Sequence, residues 1–137
     1  MAEIKQFSIG GVSYNVVRAS AAQQDEVLSM LTAPITERMA SLGVGEVPED
    51  DFVFNFFTSL PYAVKEKLDS LLLSRLNVHG SEAKLDLKDF DGRVLELNQL
   101  RAQVLLWNLM PFFVYWASVI KKGIEEAQAE AKKRQTA

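Results

Sequence analysis

The feature that most constrains this chain is an uncharged run, Val104–Ile120, in which only Asn108 and Ser118 are plainly polar. So much apolar surface has to leave water, into a core, a bilayer or another protein. At 17 residues the run sits at the low edge of a bilayer span, which needs about 20. Trp107 and Trp116 would suit the interfacial belts of such a span. Pro111 in its middle, and the well-patterned soluble helices before it, count against the bilayer.

The run continues an amphipathic stretch, Val94–Gln103, and two stripes can be drawn on the resulting helix. Leu97, Leu100, Val104, Trp107 and Val114 form one, which extends the apolar side of the amphipathic half. Leu105, Leu109, Phe112, Phe113, Trp116, Val119 and Ile120 form another, which begins only after residue 102. A small domain buries one stripe of a helix readily; burying both needs neighbours on every side. The first stripe therefore reads as core and the second as a contact with another chain. Aromatic residues are enriched at interface centres, so the candidate interface is Trp107, Phe112, Phe113, Trp116 and Ile120. Pro111 is expected to kink or break the helix, and Lys121-Lys122-Gly123 to stop it.

Upstream, Phe7 and Ile9 alternate with polar residues, and so do Val12, Tyr14 and Val16. Between them Gly10-Gly11 suits a two-residue primed turn, because glycine accepts positive φ. The implied hairpin, about residues 4–17, sets Ile9 opposite Val12 and Phe7 opposite Tyr14, with one apolar face. Such a hairpin is marginal alone and must pack on something. Ser20-Ala21-Ala22-Gln23 reads as a capping box. Val27, Leu28, Leu31, Ile35, Met39 and Leu42 follow at spacings near four, with Pro34 marking either a kink or a new helix start. Asp50 and Asp51 favour a helix start ahead of Phe52, Phe54, Phe56 and Phe57. After Pro61 a third helix carries Val64, Leu68, Leu71, Leu72 and Leu76. Residues 77–92 show no clear period: His79-Gly80 suggests a turn, and Asp89 or Asp91 is a candidate cap. The expected fold is mainly α, an N-terminal hairpin followed by four to five helices. Residues 1–123 form one domain, and 124–137 a polar, exposed, fraying tail.

The chemistry is sparse. There is one histidine and no cysteine, so zinc sites and catalytic triads lack their parts. Asp86, Asp89 and Asp91 do not fit a calcium loop, and Gly10-Gly11 lacks the lysine and longer glycine pattern of a phosphate loop. No catalytic, cofactor or metal residues are expected. A net charge of −3 and a pI near 5.2 disfavour a nucleic-acid surface. Met1–Lys5 lacks the basic-then-apolar pattern of a secretory signal.

The opening Ile4-Lys5-Gln6-Phe7-Ser8-Ile9-Gly10-Gly11-Val12-Ser13-Tyr14, then Ala21-Ala22-Gln23-Gln24-Asp25-Glu26, resembles tail assembly chaperones of long-tailed (siphovirus-type) bacteriophages. So does Phe90-Asp91-Gly92-Arg93 followed by Leu100–Phe113, with Gln103, Trp107-Asn108 and Phe112-Phe113. The resemblance covers roughly residues 4–116. It implies the short, non-frameshifted form of a chaperone that binds the tape measure protein and recruits major tail tube subunits. It implies action in the host cytoplasm and absence from the mature virion. Homo-oligomers are expected, without nucleic acid or membrane. Two alternatives stay open: a small membrane-associated phage protein using Val104–Ile120, and a structural component of the tail.

Overall fold

Alternating apolar residues on either side of Gly10-Gly11 produce the hairpin. In the computed structural model, which describes residues 3–136, β1 (Ile4–Ile9) pairs antiparallel with β2 (Val12–Val17). Ile9 stands opposite Val12 and Phe7 opposite Tyr14. Gly10 and Gly11 have φ of +57° and +80°, the left-handed values that a primed turn demands. A Cβ at Gly10 would lie 2.3 Å from Oε1 of Glu96, a contact that the flexible carboxylate end can relieve by moving. Phe7, Ile9, Tyr14 and Val16 are buried on one face.

A third strand joins this sheet from far along the chain. β3 (Asn77–Val78) pairs antiparallel with β2, Tyr14 opposite Val78 and Asn15 opposite Asn77. The strand order is β1-β2-β3, which leaves β1 at an edge. Gly80, at φ +88°, supplies the expected turn just beyond it. The expected cap at Asp89 or Asp91 falls differently. Asp86 caps a short 3-10 turn, Leu87–Phe90, and Asp89 reaches back to close its capping box. Phe90 is thereby buried and stacks on Tyr14 at 5.7 Å.

Helix α1 (Ala21–Ser41) starts at the Ser20 box: Ser20 Oγ accepts from the Gln23 N–H, and Gln23 Oε1 accepts from the Ser20 N–H. Val27, Leu31, Ile35 and Met39, four residues apart, are all fully buried, whereas Leu28 is half-buried and Leu42, at the C-cap beyond the helix, is exposed. The helix runs through Pro34 as one element. Helix α2 (Asp50–Thr58) begins with Asp50 and Asp51 in its first turn and buries Val53, Phe56 and Phe57. Helix α3 (Tyr62–Leu72) follows Pro61 and buries Leu68, Leu71 and Leu72.

Helix α4 (Val94–Thr136) is a single element of 43 residues, about 65 Å long. Two expectations change here. Pro111 does not break it. Proline removes the N–H that would bond the carbonyl of Trp107, and Arg18 supplies the missing donor: its Nη2 donates to Trp107 O at 2.9 Å. The same guanidinium lies 5.0 Å from the Trp107 ring centroid. Nor does Lys121-Lys122-Gly123 stop the helix. Glycine ends a helix by turning left-handed, and Gly123 keeps negative φ. Strong helix formers follow it, so the polar tail is a helical extension of α4.

Two buried polar clusters fix how α4 sits. Asn108, 2 % exposed, accepts the Ala19 N–H at Oδ1 over 3.0 Å and donates from Nδ2 to Val104 O. It thus ties the β2–α1 connection to α4. Arg101 donates from Nε and Nη2 to the two carboxylate oxygens of Asp69 and from Nη1 to Asn98 Oδ1, joining α3 to α4. Among the described residues no buried side-chain nitrogen or oxygen lacks a partner.

Candidate functional site

The environment of α4 changes along its length. From Leu97 to Leu109 it is buried over a wide arc, with Leu97, Leu100, Arg101, Ala102, Val104, Leu105, Asn108 and Leu109 all inside. Beyond Leu109 the arc narrows to Phe113, Trp116 and Ala117. The face that carries Arg101 to Asp69 and Asn108 to Ala19 continues at helical spacing into Phe112, Tyr115 and Val119. There it is uncovered: Phe112, Tyr115 and Val119 are 37 %, 64 % and 52 % exposed, while Met110 and Val114 are exposed on other sides of the helix. The outcome is a contiguous apolar surface on the outer side of the helix, of the kind that marks a contact site.

A groove runs along this surface between α1 and α4. Leu28 and Thr32 form one wall and Pro111, Phe112, Tyr115 and Trp116 the other, enclosing about 360 Å³. Its lining is almost wholly apolar, and Thr32 turns its hydroxyl back to the Leu28 carbonyl at 2.6 Å. The groove therefore offers shape and hydrophobic contact rather than reactive groups.

The five residues singled out from sequence part company. Phe112 is exposed and lines the groove. Trp107 and Ile120 are half-buried against the core, Trp107 edge-on to Phe7 at 5.7 Å. Phe113 and Trp116 are buried, 1 % and 7 % exposed, and pack edge to face at 5.3 Å. The division into stripes is thus redrawn. Leu105, Leu109, Phe113 and Trp116 belong to the core, and Val114, assigned to the core stripe, is exposed. Val119, which the contact stripe held, is exposed, and so are Met110 and Tyr115, which neither stripe held. The signal that finds Tyr115 is polar: Asn108 and Arg101 mark the face that needs hydrogen-bonding partners, and Phe112, Tyr115 and Val119 extend it.

Titratable groups are placed structurally. His79 Nδ1 lies 3.3 Å from Asn15 Oδ1 at the exposed end of the sheet. No group of three or more His, Asp or Glu side chains among the described residues is placed to hold a metal ion. The Asp69 carboxyl is pushed above its ordinary value. Burial is the dominant cause, outweighing the hydrogen bond and charge of Arg101 that pull it down.

By length and composition α4 is long and apolar enough to cross a membrane. In the fold that same stretch carries Arg101 and Asn108, both engaged by other elements. No protein-family model matches the chain, and no curated protein or solved structure matches it.

Proposed function

We propose that this protein is a phage tail assembly chaperone of the short form. On this reading it self-associates, binds the tape measure protein, and recruits tail tube subunits in the host cytoplasm, without entering the finished virion. The observation that carries the reading is the uncovered apolar face Phe112–Tyr115–Val119 beside the α1–α4 groove. A tape measure chain is long, helical and apolar, and an amphipathic helix laid into an apolar groove is a recurrent mode of recognition. The sequence resemblance supplies the client's identity, and the groove supplies a surface suited to it.

The test is co-expression with a tape measure fragment followed by pull-down. The parent chain is expected to retain the fragment, and Phe112→Ser/Tyr115→Glu to lose it with melting behaviour unchanged. Failure of the folded parent chain to retain the fragment removes the client claim. The length and composition of α4 favour a second reading, insertion in a bilayer. That would strip Arg101 and Asn108 of Asp69 and Ala19, at a cost of several kcal/mol. Recovery only with detergent would replace the chaperone reading with this one.

A further inference from the structure

A second groove lies on the other side of Trp107. It runs between β1 and α4, encloses about 700 Å³, and has Phe7, Leu106, Trp107 and Met110 as its apolar shelf. What sets it apart is the sheet edge beside it. The Arg18 N–H donates to Glu3 O at 2.7 Å, which fixes the phase of the β1–β2 ladder. Glu3, Lys5, Phe7 and Ile9 turn their backbone groups toward β2, so Ile4, Gln6 and Ser8 turn theirs outward. Among the described residues no hydrogen bond reaches those three outward N–H and C=O pairs. The opposite edge is different, because there β2 is taken up by β3.

Natural sheets guard an open edge with charged side chains, lysine above all, with proline, with a bulge or with a covering element, and β1 carries the first of these at Lys5. β1 has no proline, and its register with β2 is continuous, without a bulge. Lys5, Gln6, Phe7 and Ser8 of β1 share this groove with the apolar Leu106, Trp107 and Met110 of α4. Lys5 stands at the rim, its Nζ 5.3 Å from the Phe7 ring centroid and 6.0 Å from that of Trp107. Among the described residues Lys5 makes no ion pair. Asp50 lines the same groove but does not pair with Lys5, so this cation over an aromatic floor can receive a carboxylate from the occupant.

We propose that the β1 edge is a docking site for an extended segment of another protein, apolar at alternate residues and acidic at the position that meets Lys5. The segment adds a strand to the sheet: backbone bonds to Ile4, Gln6 and Ser8 give affinity, and the Trp107 shelf and Lys5 select the sequence. This site is separate from the α1–α4 groove and does not depend on the tape measure reading.

The probe is an acetylated decapeptide of alternating valine and threonine with two glutamates at one end. It is measured against the full chain by calorimetry and by amide hydrogen exchange. The peptide is expected to bind and to slow exchange at Ile4, Gln6 and Ser8. Gln6→Pro removes an outward N–H and leaves the bonds to β2 in place; it should weaken binding at least about tenfold. Lys5→Glu should weaken the glutamate peptide and favour its lysine counterpart. A peptide N-methylated at alternate residues, tested on the unaltered chain, should bind at least about tenfold more weakly, which keeps the test independent of how Gln6→Pro folds. No binding by the parent chain, equal binding of the N-methylated peptide, or unchanged affinity in a folded Gln6→Pro protein would each overturn the proposal. So would concentration-dependent protection of the three amides without peptide, which would assign the edge to a second copy of this chain.

Discussion

Alanine at Trp116 and alanine at Tyr115 separate a packing role from a surface role one residue apart. Trp116 is 7 % exposed and Tyr115 is 64 % exposed. Truncating a buried tryptophan removes its transfer free energy and leaves a cavity, together about 3–5 kcal/mol. The edge-to-face contact with Phe113 at 5.3 Å is lost with it, which places the expected value in the upper half of that range. An exposed side chain away from caps and networks changes stability by about 0.5 kcal/mol at most. For a chain of 137 residues, each kcal/mol moves the melting temperature by about 3–5 °C, between the values for smaller and larger domains. Trp116→Ala should therefore melt about 12–25 °C below the parent chain and Tyr115→Ala within about 3 °C of it. Thermal melts followed by far-UV circular dichroism read both. Should the end of α4 detach instead of the whole chain unfolding, helical signal is lost well below the main transition, which again assigns Trp116 to the core. Equal melting of the two variants, or a parent-like Trp116→Ala, would refute the division of α4 into a buried and an uncovered face.

The remaining predictions concern the polar groups that seat α4. Asp69→Ala leaves Arg101 buried without its carboxylate and should cost about 3–5 kcal/mol, whereas Asp69→Leu/Arg101→Met should recover most of that; urea midpoints at constant slope measure both. The pH dependence of Asp69 has a definite sign. Its folded pKa lies above the ordinary 3.8, so the folded chain holds the proton more tightly than the unfolded one. The stability this group contributes is fully present below 3.8 and is lost as pH rises through the raised value. Relative to Asp69→Asn, the parent chain should lose stability as pH climbs through that window, and a gain would contradict the burial account. Arg18→Ala should cost about 1.5 kcal/mol, the low end for a charged hydrogen bond, because its side chain is 30 % exposed. Pro111→Ala restores a donor for the Trp107 carbonyl, so it should rescue Arg18→Ala in a double-mutant cycle, and strict additivity would show that Arg18 does not serve that carbonyl.

Much of the local structure was legible in the residues alone. The Gly10-Gly11 turn, the pairing of Phe7 with Tyr14, the Ser20–Gln23 capping box and the four-residue spacing of Val27, Leu31, Ile35 and Met39 all appear as expected. Each depends on φ preferences, on hydrogen bonds spanning a few residues, or on a repeat long enough to show a period. The candidate site was legible only in part. The apolar run pointed to the right segment of α4, but the exposed residues include Met110, Val114 and Tyr115, none of them in the contact stripe, and the aromatic pair Phe113–Trp116 is inside. An apolar residue has the same signature in a core as on a contact surface, so composition cannot assign its side.

Sequence by itself thus determined the hairpin with its register, the helical character of the later segments and the first helix cap. Tertiary structure decided the rest. The two residues of β3 are too few to show alternation, and they form a strand only because β2 lies beside them. Helix α4 passes Pro111 because Arg18 is brought to the Trp107 carbonyl. Its buried face is chosen by Ala19 meeting Asn108 and Asp69 meeting Arg101. These partners are separated by 89 residues at Arg18 and Asn108 and by 32 at Arg101. No local period encodes such pairs; they form when packing removes water from groups that must keep a hydrogen-bonding partner.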